Sequence, residues 1–198
     1  QTDMKRMVAY SSVGHMGYVL LAAAAATPVA LLGAVFQMVS HGLISALLFL
    51  LVGIVYRKTG TRDLEVLRGL LNPEKGLPLT GSLMIVGVMA SAGLPGMAGF
   101  ISEFLVFRGA ITTFPLATLL SMVGSGLTAV YFLLLVNRAF FGRLAITPPS
   151  GEALVDTRLD VRLAPVAPRE TIPAIALVAG VVALGLVPSC LSRLSEVA

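Results

Sequence analysis

Residues 31–56 run without an Asp, Glu, Lys or Arg. As a helix rising 1.5 Å per residue, this stretch exceeds the ~30 Å hydrocarbon core of a bilayer. In lipid, a helix satisfies its own backbone N–H and C=O groups, whereas an open strand does not. Five further apolar segments follow the same logic, at 8–26, 79–94, 97–114, 116–141 and 172–187. The expected fold is all-α: a polytopic transmembrane bundle of about six helices. Composition closes off the soluble alternatives, because 57% of the 198 residues are hydrophobic and only 12% charged. A soluble domain of this size keeps too much surface to leave it so apolar. A soluble enzyme, a disordered tail and a disulfide scaffold are excluded.

The net charge of +4 does not imply nucleic acid, because the 14 Lys and Arg are scattered between apolar segments rather than clustered. Cys190 is the only cysteine, which excludes an intrachain disulfide and a thiolate metal cage. Two histidines and no tryptophan leave few ligands for zinc or haem. No dinucleotide, Walker A, CxxC or HExxH pattern occurs, so any redox group is expected in another subunit.

The segments 79–94 and 97–114 are short, and Gly93-Leu94-Pro95-Gly96-Met97-Ala98-Gly99 divides them. This stretch is either a surface turn or an unwound section inside the membrane, where broken helices line protein-enclosed or watery cavities. Two polar connections are expected, at 57–76 and at 142–171, the second holding Pro148, Pro149, Pro165 and Pro168. With six spans, Lys5, Arg6, Arg57, Lys58, Arg62, Arg68, Lys75 and Arg193 share one side. Arg138, Arg143, Arg158, Arg162 and Arg169 would fall on the other, a weak bias towards cytoplasmic termini.

Three ionisable groups fall inside spans: His15, His41 and Glu103. A charge at the bilayer centre costs about 2.5–3.5 kcal/mol on insertion scales, and such groups face protein or water. Ser11 and His15 lie four apart, with Ser12 and Tyr18 nearby; Gln37, His41 and Ser45 repeat every four residues; Ser121, Ser125 and Thr128 form a third stripe. Such stripes either bond helices together or hold a file of water for stepwise proton movement. Glu103 is the sharpest candidate, with Arg108 either its partner or a residue snorkelling at the surface. Lys5, at the mouth of the first span, reads as a proton-path entry or as an interfacial anchor.

The segment Met4-Lys5-Arg6-Met7-Val8-Ala9-Tyr10-Ser11-Ser12-Val13-Gly14-His15-Met16-Gly17 resembles the antiporter-like subunits of complex I. Gln37-Met38-Val39-Ser40-His41-Gly42-Leu43, the Gly93–Gly99 stretch with Phe100-Ile101-Ser102-Glu103-Phe104, and Asn137-Arg138-Ala139-Phe140-Phe141-Gly142 continue the likeness in order. Glutamate at 103 is similar to the chain 4 branch (M, or plastid and cyanobacterial D), where the chain 5 branch typically has lysine. The resemblance covers roughly residues 1–143, followed by a connecting segment at 144–171 and a last helix and tail at 172–198. Because the chain opens on Gln1, it reads as the C-terminal part of a longer protein, a removed leader being the other reading.

The resemblance implies a proton-translocating membrane subunit of an NAD(P)H- or ferredoxin-dependent quinone oxidoreductase, with the Gly93–Gly99 break at the start of the family's discontinuous helix. Glu103 would be its terminal carboxylate and His15 and His41 relays, with Ser11, Gln37, Ser45, Ser125 and Thr128 lining the path and Lys5 at its mouth. NAD(P)H or ferredoxin, iron–sulfur clusters and quinone would belong to partner subunits of the membrane arm. The residues 61–74 and 87–93 look closest to cyanobacterial forms, some tied to carbon dioxide uptake, which implies a thylakoid or a bacterial inner membrane. The alternatives are a cation/proton antiporter subunit without a redox arm, and a purely structural membrane-arm subunit.

Overall fold

A computed structural model describes residues 1–146 and 163–189. Pro148, Pro149, Arg158, Arg162, Cys190 and Arg193 lie outside the described residues. The described chain forms six helices, α1 (Met4–Ala25), α2 (Pro28–Thr59), α3 (Pro78–Ser91), α4 (Ala98–Ala110), α5 (Pro115–Phe140) and α6 (Pro168–Leu186). Four of them start on a proline at the first helical position, where its missing N–H costs nothing and its fixed φ suits the helix. Asp3 caps α1 by accepting from the N–H groups of Lys5 and Arg6, and Thr27 caps α2 through the N–H of Ala30.

α1, α2, α5 and α6 are long and apolar enough to cross a membrane. α3 and α4 have 14 and 13 residues, about 20 Å each, too short to cross alone. Their neighbours on α2 resolve how they cross. Ala30 meets Gly109, Gly33 meets Val106, Ser40 bonds Ser102, Ile44 meets Gly99, and Leu47 and Leu48 meet Gly87. Positions on α2 rise steadily as positions along α4 and α3 fall, so the two short helices run in one direction. They are halves of a single crossing antiparallel to α2, a discontinuous helix broken near Gly93–Gly99, so the apolar segments 79–94 and 97–114 share one span. The glycine stretch is therefore an unwound section inside the bundle. Gly93 and Gly96 adopt φ of 73° and 91°, a backbone region that glycine enters without a Cβ penalty.

Two apolar clusters form along the bundle. One joins Met4, Met7 and Val8 of α1 to Leu47, Leu48 and Leu51 of α2 and Phe132 and Leu135 of α5. The other joins Tyr18, Ala22 and Ala25 of α1 to Ala30 and Ala34 of α2 and Val106 and Phe107 of α4. Between the clusters α1 buries Ser11 and His15, α2 Gln37 and Ser40, and α4 Ser102 and Glu103, so a polar layer lies at the depth of the break. Small residues let α2 and α4 touch closely: a Cβ on Gly33 would stand 2.6 Å from the Val106 nitrogen.

Outside the helices, β1 (Leu67–Arg68) pairs antiparallel with β2 (Ala145–Ile146), joining the loop after α2 to the chain after α5. Met4 N–H donates to Arg62 O and Leu64 N–H to Thr2 O, and Lys58 Nζ donates to Pro165 O. These contacts gather the start of α1, the ends of α2 and α5 and the start of α6 at one end of the bundle. Arg138, Arg143 and Arg169 consequently share an end with Lys5, Arg57, Arg62 and Lys75, instead of opposing them as a six-span count implied. Among the described basic residues, Arg108 alone sits towards the other end.

Two outcomes follow. Gly33→Leu forces a side chain into the α2–α4 contact and lowers stability by about 1–3 kcal/mol, measurable as a lower thermal midpoint in detergent. The positive-inside rule predicts that the basic end faces the cytoplasm. A cysteine at Lys58 then reacts with a membrane-impermeant reagent from the cytoplasm, and one at Thr112 from the opposite face. Labelling of both from one face would contradict the single broken crossing.

Candidate functional site

The polar layer brings three helices and the break onto Glu103. Its side chain leaves α4 in the first turns after the break and is buried, 6% exposed. One carboxylate oxygen, Oε2, accepts a 2.6 Å hydrogen bond from Ser125 Oγ on α5. The other, Oε1, lies 3.7 Å from Nδ1 of His15 on α1, ion-pair distance when the imidazole is protonated. Arg108, on the same helix, is exposed and makes no ion pair with Glu103 among the described residues. The carboxylate's partners come from other helices.

His15 is buried and held on both nitrogens. The Gln37 amide nitrogen lies 3.3 Å from Nδ1, and Ser91 Oγ, at the end of α3, lies 3.2 Å from Nε2. An amide nitrogen only donates, so Nδ1 accepts and Nε2 carries the hydrogen, donating to Ser91. His41 stands beside it, ring centroids 5.2 Å apart. Among the described residues Gln37 Oε1 is buried without a hydrogen-bond partner. Its amide therefore holds a donor against His15 and a free acceptor next to it. A small cavity of about 10 Å³ lies between His15, Gln37, Ser40, His41, Ser91 and Glu103.

Hydroxyls extend the layer past Glu103. Tyr18 interacts with Ser125 and Thr128, and Tyr131 with Thr128 and Ser11. Ser125 thus connects the carboxylate to a row of side-chain hydroxyls on α1 and α5.

Of the residues singled out in the sequence, the structure brings together His15, His41, Glu103, Gln37 and Ser125, with Ser11 and Thr128 along the hydroxyl row. Ser45 is not brought in: its hydroxyl donates to His41 O and Gly42 O of its own helix. Each four-residue step on an α-helix advances about 40° around the axis, so the third member of the 37–41–45 stripe has turned away. Lys5 lies at the exposed start of α1, between its cap and the first cluster, away from the polar layer. Sequence reading missed Ser40, Ser91 and Ser102. Ser40 donates to Gln37 O and to Ser102 Oγ at 3.0 Å, and so ties α2 to α4 one turn from the site. The available signal was position: Ser91 directly precedes the glycine break and Ser102 adjoins Glu103.

Comparison with known proteins places this geometry. The chain is 37% identical, over its full length, to an NAD(P)H-quinone oxidoreductase chain 4 of Trichormus variabilis, of which it covers 36%. It is 41% identical over 143 residues to the NADH-quinone oxidoreductase subunit M of Escherichia coli, matching 72% of this chain and 28% of that one. The fold superimposes on a chain of respiratory complex I from Thermus thermophilus with a TM-score of 0.84 at 26% identity, covering 98% of this chain and 38% of that one. The chain thus spans about a third of the length of the relatives it matches. Residues 1–128 match the NADH:quinone oxidoreductase/Mrp antiporter transmembrane family, and the chain belongs to that family.

Proposed function

We propose that this chain is part of a membrane-arm subunit that translocates protons within an NAD(P)H- or ferredoxin-dependent quinone oxidoreductase. Electron donor, iron–sulfur clusters and quinone belong, on this reading, to partner subunits, and no redox step takes place in this chain. Residues 1–143 form the transporting portion, 144–171 connect it, and 172–198 hold the last helix and tail. The membrane is a cyanobacterial thylakoid or a bacterial inner membrane. One observation carries the reading: a buried carboxylate beside a helix break, within 3.7 Å of a buried imidazole on another helix. Intramembrane ionisable pairs of this kind are costly, and proton relays are a principal use for them.

The side chains support a sequence of proton steps. A proton reaching His15 Nδ1, from the side of His41, displaces the Gln37 N–H. Rotation of the Gln37 amide then presents Oε1, the unpartnered acceptor, to the new N–H. From Nδ1 the proton passes to Glu103 Oε1. A half-turn of the carboxyl group then brings the protonated oxygen to Ser125, to which it donates, and the serine hydroxyl turns towards Tyr18. Each exchange occurs between neighbours, so no isolated charge has to cross the apolar clusters on either side. Lys5, at the basic end, is a proton-collecting group at the mouth of α1.

The reading over an antiporter without a redox arm is favoured by the full-length likeness to a quinone oxidoreductase chain. Sodium-dependent transport in vesicles lacking an electron donor would reverse that preference. Glu103→Gln keeps the volume and the hydrogen-bond acceptor and removes the exchangeable proton. In the assembled complex it slows the proton step through this subunit by about 10²-fold or more, the range for losing a proton-transfer group, and so lowers the protons translocated per quinone reduced. Wild-type stoichiometry in Glu103→Gln and Glu103→Ala would exclude the mechanism. Gln37→Leu separates transport from structure. It removes the unpartnered Gln37 acceptor and at the same time leaves His15 Nδ1 without its donor, two terms of about 1–3 kcal/mol that offset, so thermal stability holds while translocation falls. A residue that merely bonded the helices together would show the reverse, lower stability with normal translocation.

A further inference from the structure

At the basic end of the bundle, an open pocket of about 810 Å³ is lined by Arg68, Arg138, Arg143, Asn137, Glu65 and Phe141, among others. We infer that this pocket binds the phosphate headgroup of an anionic membrane phospholipid, whose acyl chains lie along the exposed face of α5. Three observations carry this.

The first is charge. Three arginines and a single acidic residue, Glu65, line the pocket, and among the described residues none of the three arginines makes an ion pair or side-chain hydrogen bond. Like charges held together repel, and an anion among them removes the cost. Arginine's planar fork suits phosphate oxygens in particular.

The second is rigidity. Arg68 and Ala145 are register partners in the β1–β2 pair. Gly69 N–H donates to Phe141 O, Leu70 N–H to Ala139 O and Leu71 N–H to Phe140 O. Backbone bonds therefore fix the two segments that supply the arginines before any ligand arrives, which lowers the ordering cost of binding.

The third is continuity with the membrane. Val130, Leu133, Leu134, Asn137, Arg138 and Phe141 follow helical spacing on one face of α5. Val130, Leu133 and Leu134 are 54%, 61% and 47% exposed, and the stripe turns polar where it reaches the pocket. An apolar track ending in a basic pocket has the polarity profile of a phospholipid. Basic pockets between helices on the cytoplasmic side are recognised sites for anionic headgroups.

The test uses the assembled complex and phosphatidylglycerol or phosphatidylcholine probes carrying a photoreactive group in the acyl chain. The phosphatidylglycerol probe is expected to cross-link to residues 130–134, and the phosphatidylcholine probe to do so far less. Replacing Arg68, Arg138 and Arg143 by Gln lowers the phosphatidylglycerol cross-link on the order of fivefold per arginine removed; replacement by Lys keeps most of it. Should the Gln variant fail to assemble, competition of the wild-type cross-link by unlabelled phosphatidylglycerol, but not phosphatidylcholine, supports the same conclusion. Equal labelling by both probes, or no competition, overturns it. Loss of the cross-link in excess inorganic phosphate would identify a free anion as the occupant. A cysteine at Arg143 that is shielded from a thiol reagent in delipidated complex, yet reactive in the isolated full-length subunit, would identify a protein partner. Either result overturns the lipid.

Discussion

Hydrocarbon offers no hydrogen bonds, so a helix interrupted inside a membrane must satisfy the groups it frees from within the protein. At 92–97 much of this is local. Ala92 N–H donates to Val88 O, Gly93 N–H to Ala90 O, Leu94 N–H to Met89 O and Met97 N–H to Leu94 O. The Ser102 hydroxyl donates to Gly99 O just beyond. The end of α6 packs over the same place, with Gly185 against Gly96 and Met97. Once the break is satisfied and covered, polar side chains have a protein-enclosed region to occupy. The serines, histidines and glutamate of the site occupy that depth.

The apolar clusters on either side give the polar layer its limits. Ser11 and His15 separate Val8 from Tyr18 on α1, Gln37 and Ser40 separate Ala34 from Ile44 on α2, and Ser102 and Glu103 separate Ala98 from Val106 on α4. These alternations put polar groups from three helices at one level, and α5 adds Ser125 and Thr128. Apart from the Tyr18 hydroxyl, the buried residues of the two clusters are apolar, so among the described residues the buried ionisable groups of the bundle share this one level.

Much of this was legible in the sequence. The uninterrupted apolar runs mark the bodies of the helices, whereas α6 starts at Pro168, inside the stretch read as a polar connection. His15, His41 and Glu103 stand out because ionisable groups are rare between such runs. What the sequence did not reveal was how segments share the membrane. The lengths of 79–94 and 97–114 suit two short spans as well as two halves of one, and only their order of contact along α2 decides. The β1–β2 pair was illegible for another reason: two-residue strands carry no periodicity, and their partners are far apart in the chain. Ser40, Ser91 and Ser102 went unnoticed because a serine on a membrane helix commonly bonds its own backbone, and nothing local separates those that also bridge helices.

The close packing of α4 on α2 fixes the base from which Glu103 projects. Thr27 Oγ1 donates to Gly109 O at 2.9 Å, Gly33 abuts Val106, and Ser40 meets Ser102, which anchors α4 at three levels of one neighbour. The contacts of Glu103 to α1 and α5, by contrast, run through side chains alone. The carboxyl group therefore hangs from a fixed base and meets His15 and Ser125 through its own side chain. On the proposed reading, a proton handed from one to the other would need turns of side chains and no sliding of a helix.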